Sequence, residues 1–392
     1  MSKIQTSGSR WLPLVVFNTL MIQGGIYVVR PIISYKSLEL GADAALVGLI
    51  GATFALAPLI FAIRIGQSVD KGKSGYAMLW GSIILALTTI GLLFIDSIPL
   101  LMLAMPMLGI GHLLCMVGGQ TMIANRSQSV QYERNFGLFT FYASLGHAFG
   151  PLIGGWLADS GEVRVDANAA FTFAIFMFGL AIASVLKLST KKENQPVPEK
   201  TNSKVSVREV LAVPTFKSAI FVASATTSVV DVMLIFLPLF GRELGISVAD
   251  IGLLLAMRSV ASMGVRVILG QMTKWLGLKR ILVWGAVVTL VSMVALALVK
   301  DFWSIAVIML VSGFAMGIGQ PATMAWVSRI SNADSRGLAI AVRLTANRFG
   351  QVALPAVAGL VAGGGVAAVF YMLAAIQAAS VLATSRALKQ TD

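Results

Sequence analysis

Twelve long apolar stretches, separated by mostly short polar breaks, run the length of the chain. They cover 11–35, 45–66, 76–95, 99–122, 136–158, 168–187, 216–240, 248–270, 281–299, 302–326, 337–361 and 365–385. Each is close to the roughly 20 residues a helix needs to cross a bilayer. One connection stands out. Residues 188–215 are polar, basic and contain proline, which marks a linker between two sets of six helices. The pattern predicts an all-α membrane protein with a six-helix bundle over 1–187, a linker over 188–215 and a second bundle over 216–392. The first 10 residues carry two basic side chains, and the apolar stretch behind them has full spanning length and no small-residue cleavage site. It reads as a retained first helix rather than a signal peptide.

Composition supports the same class. Apolar residues make up 57% of the chain and charged ones 12%, against about 25% charged in soluble domains. A cytosolic enzyme, a nucleic-acid binder and a disordered chain are all disfavoured. The single cysteine, Cys115, forms neither an internal disulfide nor a CxxC metal site. The net charge of +13 needs no nucleic-acid partner, because it is distributed by side of the membrane. With the amino terminus inside, the inner segments hold 20 Lys and Arg, the outer loops hold four, and six lie within spans. The positive-inside rule therefore predicts that both termini and residues 188–215 are cytosolic. The short tails suit a bacterial inner membrane.

The chain also repeats itself. A shift of 204 lays 38–70 on 242–274 without a gap, matching Glu39-Leu40-Gly41 to Glu243-Leu244-Gly245 and Gly48-Leu49 to Gly252-Leu253. A shift of 200 pairs Gly119-Gln120 with Gly319-Gln320 and Phe149-Gly150 with Phe349-Gly350. Two parallel repeats place a substrate site near the midplane between halves, reached alternately from each side.

Two motifs then carry a resemblance to the major facilitator superfamily. Behind the second stretch stands Gly66-Gln67-Ser68-Val69-Asp70-Lys71-Gly72-Lys73, similar to the family's GxxxD-(R/K)-x-G-(R/K) loop but one residue short after Lys71. Its second-half counterpart, Gly270 to Arg280, has full spacing with Lys274 at the acidic position. The fifth stretch contains Gly146-His147-Ala148-Phe149-Gly150-Pro151-Leu152-Ile153-Gly154-Gly155, which resembles the GxxxGPxxGG motif of the antiporter branches. The resemblance spans the whole chain. It implies twelve helices in two pseudo-symmetric bundles. It also implies a cytosolic latch at Gly66, Asp70 and Lys71, and a helix-contact stripe at Gly146, Gly150 and Gly154 beside the bend at Pro151. The plainer reading of the loop is a topology signal, and of the stripe, ordinary packing.

Ionisable residues inside spans are costly, which makes them functional candidates. Asp231 is the single acid well inside a stretch; it suits a proton carrier or an arginine's partner. Gln23, Tyr27 and Arg30 share one face of the first helix, and Arg258, Arg343, Asn347 and Arg348 lie on the eighth and eleventh. This arginine surplus points to an anionic substrate group, or to arginines bound to backbone carbonyls. His112 and His147 suit proton relay or neutral hydrogen bonding. They have no ligand-spaced neighbours for a metal, and no phosphate-binding GxxxxGK(S/T) loop occurs, so no cofactor is expected and transport must draw on an ion gradient or run downhill. The chain reads as a monomeric, lipid-embedded, proton-coupled exporter of small amphipathic molecules. The alternative is a gradient-driven uptake carrier for an organic anion.

Overall fold

The computed structural model describes residues 11–69, 72–128, 131–161, 165–189, 206–213, 215–332 and 335–387. In hydrocarbon each backbone amide needs an internal partner, and helices satisfy this within one segment. The described residues accordingly form α1 (Trp11–Glu39), α2 (Ala44–Val69), α3 (Ser74–Leu92), α4 (Ile98–Arg126), α5 (Tyr132–Ala158) and α6 (Ala167–Ser189). A short α7 (Val207–Ala212) precedes α8 (Phe216–Leu244), α9 (Val248–Leu298), α10 (Phe302–Ile330), α11 (Arg336–Val361) and α12 (Ala367–Ala387).

The 51-residue α9 contains two crossings. It turns at Gly277, whose φ of 76° and ψ of 153° are unhelical and open to glycine at no steric cost. Because α7 is too short to cross, the described residues supply the twelve expected crossings. α11 is the least apolar of them, since Arg343, Asn347, Arg348 and Gln351 interrupt it. The last part of the expected linker is not free chain. α7 buries Val210 among Phe216, Ala219 and Val222, and the Ser206 hydroxyl caps it by accepting from the Glu209 amide. Residues 190–205 lie outside the described residues.

Within the first half α1 packs on α5 and α6, α3 on α4 and α6, and α2 on α4. Within the second, α8 packs on α10, α11 and α12, and α9 on α10 and α12. The halves meet through α5–α9, α2–α11 and α1–α8. Two of these contacts are glycine crossings at the end of the bundle away from Trp11 and Ala387. A Cβ on Gly48 would sit 2.5 Å from the Pro355 carbonyl oxygen and 2.7 Å from the Gly359 Cα. On Gly155 it would sit 2.7 Å from the Val248 oxygen and 3.0 Å from the Gly252 Cα, while Gly252 faces the Pro151 carbonyl. The Asp159 carboxylate adds to the second crossing by accepting from the Ala249 amide in the first turn of α9 at 3.2 Å. Nearer the termini, Gly66, Gly137, Gly264 and Gly270 have nothing within 4 Å of a Cβ position. These crossings therefore hold the bundle together at the far end, while the four glycines nearer the termini leave room for a side chain.

The crossings also fix the repeat. Gly48 and Gly252, Pro151 and Pro355, and Gly155 and Gly359 all differ by 204. So do Gly109 and Gly313, which face the carbonyls of Phe54 and Arg258, themselves 204 apart. The shift of 200 expected after the fourth stretch is thus corrected to 204 through α11. In a chain with 38 glycines, sequence matches arise at a wrong offset, whereas close backbone approach admits little but glycine.

A leucine at Gly252 should wedge the closed end apart, at a cost of about 1–3 kcal/mol for overpacking. Thiol labelling of a Tyr35→Cys reporter at that end should speed up in Gly252→Leu and stay unchanged in Gly264→Leu, where space is open. Equal labelling in both would mean that the crossings do not seal.

Candidate functional site at the centre of the bundle

The centre is assembled around α1 and α8, which run beside each other at the boundary between halves. The Arg30 guanidinium donates to one oxygen of Asp231, and Gln351 on α11 donates its amide to the other. Gln351 accepts in turn from Arg348 at 3.0 Å. Arg30 also lies over the Phe54 ring, 4.5 Å from its centroid. One carboxylate thus joins side chains of α1, α8 and α11. Asp231 is the only acid among the buried described residues, at 6% exposure. An unpaired charge at this depth is strongly destabilising, whereas a paired and hydrogen-bonded one is tolerated.

A second group lies on the first half's side. Gln23 accepts from the His112 Nε2 through its side-chain oxygen at 3.0 Å and donates its amide to the Met116 sulfur at 3.1 Å. The Tyr27 and His147 rings stack with centroids 3.9 Å apart and 17° between planes. Arg258 of α9 lies close to Tyr27 and donates a long 3.4 Å hydrogen bond to the Ser259 hydroxyl. Arg266 reaches across from α9 to the Ser144 hydroxyl at 2.7 Å.

The structure separates other sequence candidates from this centre. Arg343 donates to the Gln320 carbonyl oxygen at 3.1 Å and to the Thr323 hydroxyl at 2.9 Å, so it braces α10 rather than facing Asp231. Asn347 is buried with its side-chain oxygen unpartnered. The stripe at Gly146, Gly150 and Gly154 faces α1, at Gln23 to Val28, within one half. It is the neighbouring Gly155 that meets the other half. Gly66 touches no partner helix, while Asp70 and Lys71 lie outside the described residues.

Sequence reasoning missed Gln351. Two signals point to it: it follows Arg348 by three residues on one helix face, and it sits 204 after His147. It also missed Ser144, whose hydroxyl carries no charge to mark it out.

Removing one member of the central pair should cost more than removing both. Arg30→Gln strands Asp231 and Asp231→Asn strands Arg30, each lowering stability by up to about 3–5 kcal/mol. The double variant should recover part of that loss in thermal unfolding of the purified protein. Additive losses would show that the two side chains do not interact.

The comparisons agree with this architecture. The Major Facilitator Superfamily sequence profile matches residues 15–277 and 218–391. The quinolone resistance protein NorA of Staphylococcus aureus (strain COL) is 23% identical over 376 residues, covering 94% of each chain. The nucleoside transporter NupG superposes with a TM-score of 0.74 at 14% identity, over 97% of this chain and 98% of that one. A bacterial homologue of the human lysosomal transporter Spinster, in an inward-facing and unoccupied conformation, gives 0.73 at 16% identity, over 97% and 96%. With a profile match across almost its whole length, a twelve-crossing fold and paired six-helix repeats, the chain belongs to the Major Facilitator Superfamily.

Proposed function

We propose that this transporter exports small amphipathic organic molecules in exchange for protons, by alternating access. The observation that carries the reading is the Arg30–Asp231 pair, a charge contact between halves made by the one buried acid among the described residues. A proton on Asp231 cancels the charge that holds Arg30, and so loosens the tie between α1 and α8. A cycle that binds and releases a proton there has a means of changing how the halves fit. His112, bonded to Gln23, and His147, stacked on Tyr27, are candidate relays in the neighbouring polar group. The direction is supported by the likeness to a protein named for quinolone resistance.

Orientation follows from charge. Both termini and residues 188–215 are assigned to the cytosol of a bacterial inner membrane, by the excess of Lys and Arg in those segments. The glycine crossings then lie on the periplasmic side of the centre, away from the cytosol where an exporter loads. We assign the halves as separate rocking units, 1–187 and 216–392, and the protein as a monomer. A cysteine placed at 195 should resist an impermeant thiol reagent applied to intact cells. Background labelling is low because Cys115 is buried. Rapid labelling from outside would reverse the topology.

One observation favours a second reading, uptake of an organic anion. Arg30, Arg258 and Arg348 outnumber Asp231, the one buried acid among the described residues. Flux in reconstituted vesicles of both orientations, with an imposed pH gradient, separates the two. Export requires dye accumulation in inside-out vesicles with an acidic lumen, lost in Asp231→Asn. Accumulation confined to right-side-out vesicles with an acidic exterior establishes uptake instead. No flux of any dye in either orientation would overturn the transporter reading.

A further inference from the structure

The 204-residue repeat relates the two polar groups of the centre to each other. It carries Tyr27 to Asp231 and His147 to Gln351. Both pairs are in contact: Tyr27 stacks on His147, and Gln351 donates to Asp231. Each also receives an arginine from the opposite half. Arg30 of α1 pairs with Asp231 of α8, and Arg258 of α9 lies close to Tyr27 of α1.

The equivalence ends at charge. Asp231 neutralises Arg30, but a phenol offers Arg258 no negative charge. Arg258 is 3% exposed, and its Nε has no hydrogen-bond partner. Its guanidinium makes a single long hydrogen bond, 3.4 Å to the adjacent Ser259 hydroxyl. Arg266 adds to the positive field on Tyr27 and His147. A buried guanidinium with an idle donor, beside a hydroxyl and under a second positive charge, is a site for an acid that the protein does not itself supply.

We propose that the acidic head of the transported molecule, a carboxylate or sulfonate, binds Arg258 beside Tyr27 and His147, filling in the first half the place that Asp231 fills in the second. The inference rests on the transporter reading and names its substrate class: an amphipathic organic anion. It does not depend on direction, because Arg30 keeps Asp231 while the head takes Arg258.

The test is a binding series on the purified full chain in nanodiscs of zwitterionic lipid. Three naphthalene dyes share one ring system and carry a sulfonate, a neutral sulfonamide or a trimethylammonium group. The sulfonate should bind about tenfold more tightly than the sulfonamide, the size of one charge-assisted contact. Arg258→Gln should remove most of that preference, and Arg258→Lys should keep part of it. The two uncharged-site references, sulfonamide affinity and thermal stability, should move little in the lysine variant. If Arg258→Gln does not fold, the wild-type ranking and Tyr27→Phe decide, the latter weakening the sulfonate severalfold and sparing the ammonium dye. Tightest binding of the ammonium dye, or an equal loss for all three dyes in Arg258→Gln, overturns the proposal. A head preference that survives without any vesicle flux would instead remove the transporter reading and leave the anion site standing.

Discussion

The ion pair between Arg30 and Asp231 sets the terms for the rest of the molecule. Two opposite charges are held out of water at the boundary of two bundles. Each is tolerable only while the other is near, because the desolvation cost of a lone buried ion exceeds what apolar packing around it returns. The side chain that completes Asp231, Gln351, comes from α11, and the ring beneath Arg30, Phe54, comes from α2. Four helices from both halves are thereby committed to one geometry. A change in the charge of one carboxylate is felt by all four.

Glycine crossings give this charge contact its leverage. Gly48 against Gly359 and Gly155 against Gly252 bring backbones of opposite halves together, twice, by the same repeat operation. Such contacts are matters of shape and fail together when the halves tilt. The centre lies between these crossings and the end carrying the termini, where a Cβ on Gly66, Gly137, Gly264 or Gly270 would meet nothing within 4 Å. Crossings gathered on one side of a charge contact suit a rocking pair of bundles at one extreme of its travel.

Much of this was legible in the sequence. The crossings follow from apolar runs of membrane length, and the repeat from motifs in register over 38–70 and 242–274, while its continuation at 204 needed the glycine crossings. Asp231 and Arg30 stood out because charge in a span is costly. What was not legible depends on direction in space. The stripe at Gly146, Gly150 and Gly154 gives no sign that it faces α1, one helical step from Gly155, which faces the other half. Arg343 and Arg348 are five residues apart on α11, about 140° round a helix of 3.6 residues per turn, so they face different neighbours: α10 for Arg343 and Gln351 for Arg348. Gln351 carries no charge, and only its place in the repeat marks it. Hydropathy marks the break between the eighth and ninth stretches at 271–280, but not that helix runs into it from both sides and turns at Gly277 alone, at positive φ.

The central claim is that the Arg30–Asp231 contact holds the two halves together at the closed end. Spin labels at Phe94 and Trp303 report on it directly. Both side chains are exposed, at 79% and 77%, and they stand at that end on α3's exit and α10's first turn, in opposite halves. Pulsed electron paramagnetic resonance on the labelled protein in lipid should give one narrow distance for the native pair. In Asp231→Asn a second, longer distance should appear and gain population. A distance distribution unchanged by Asp231→Asn, in protein that remains folded, would contradict the account.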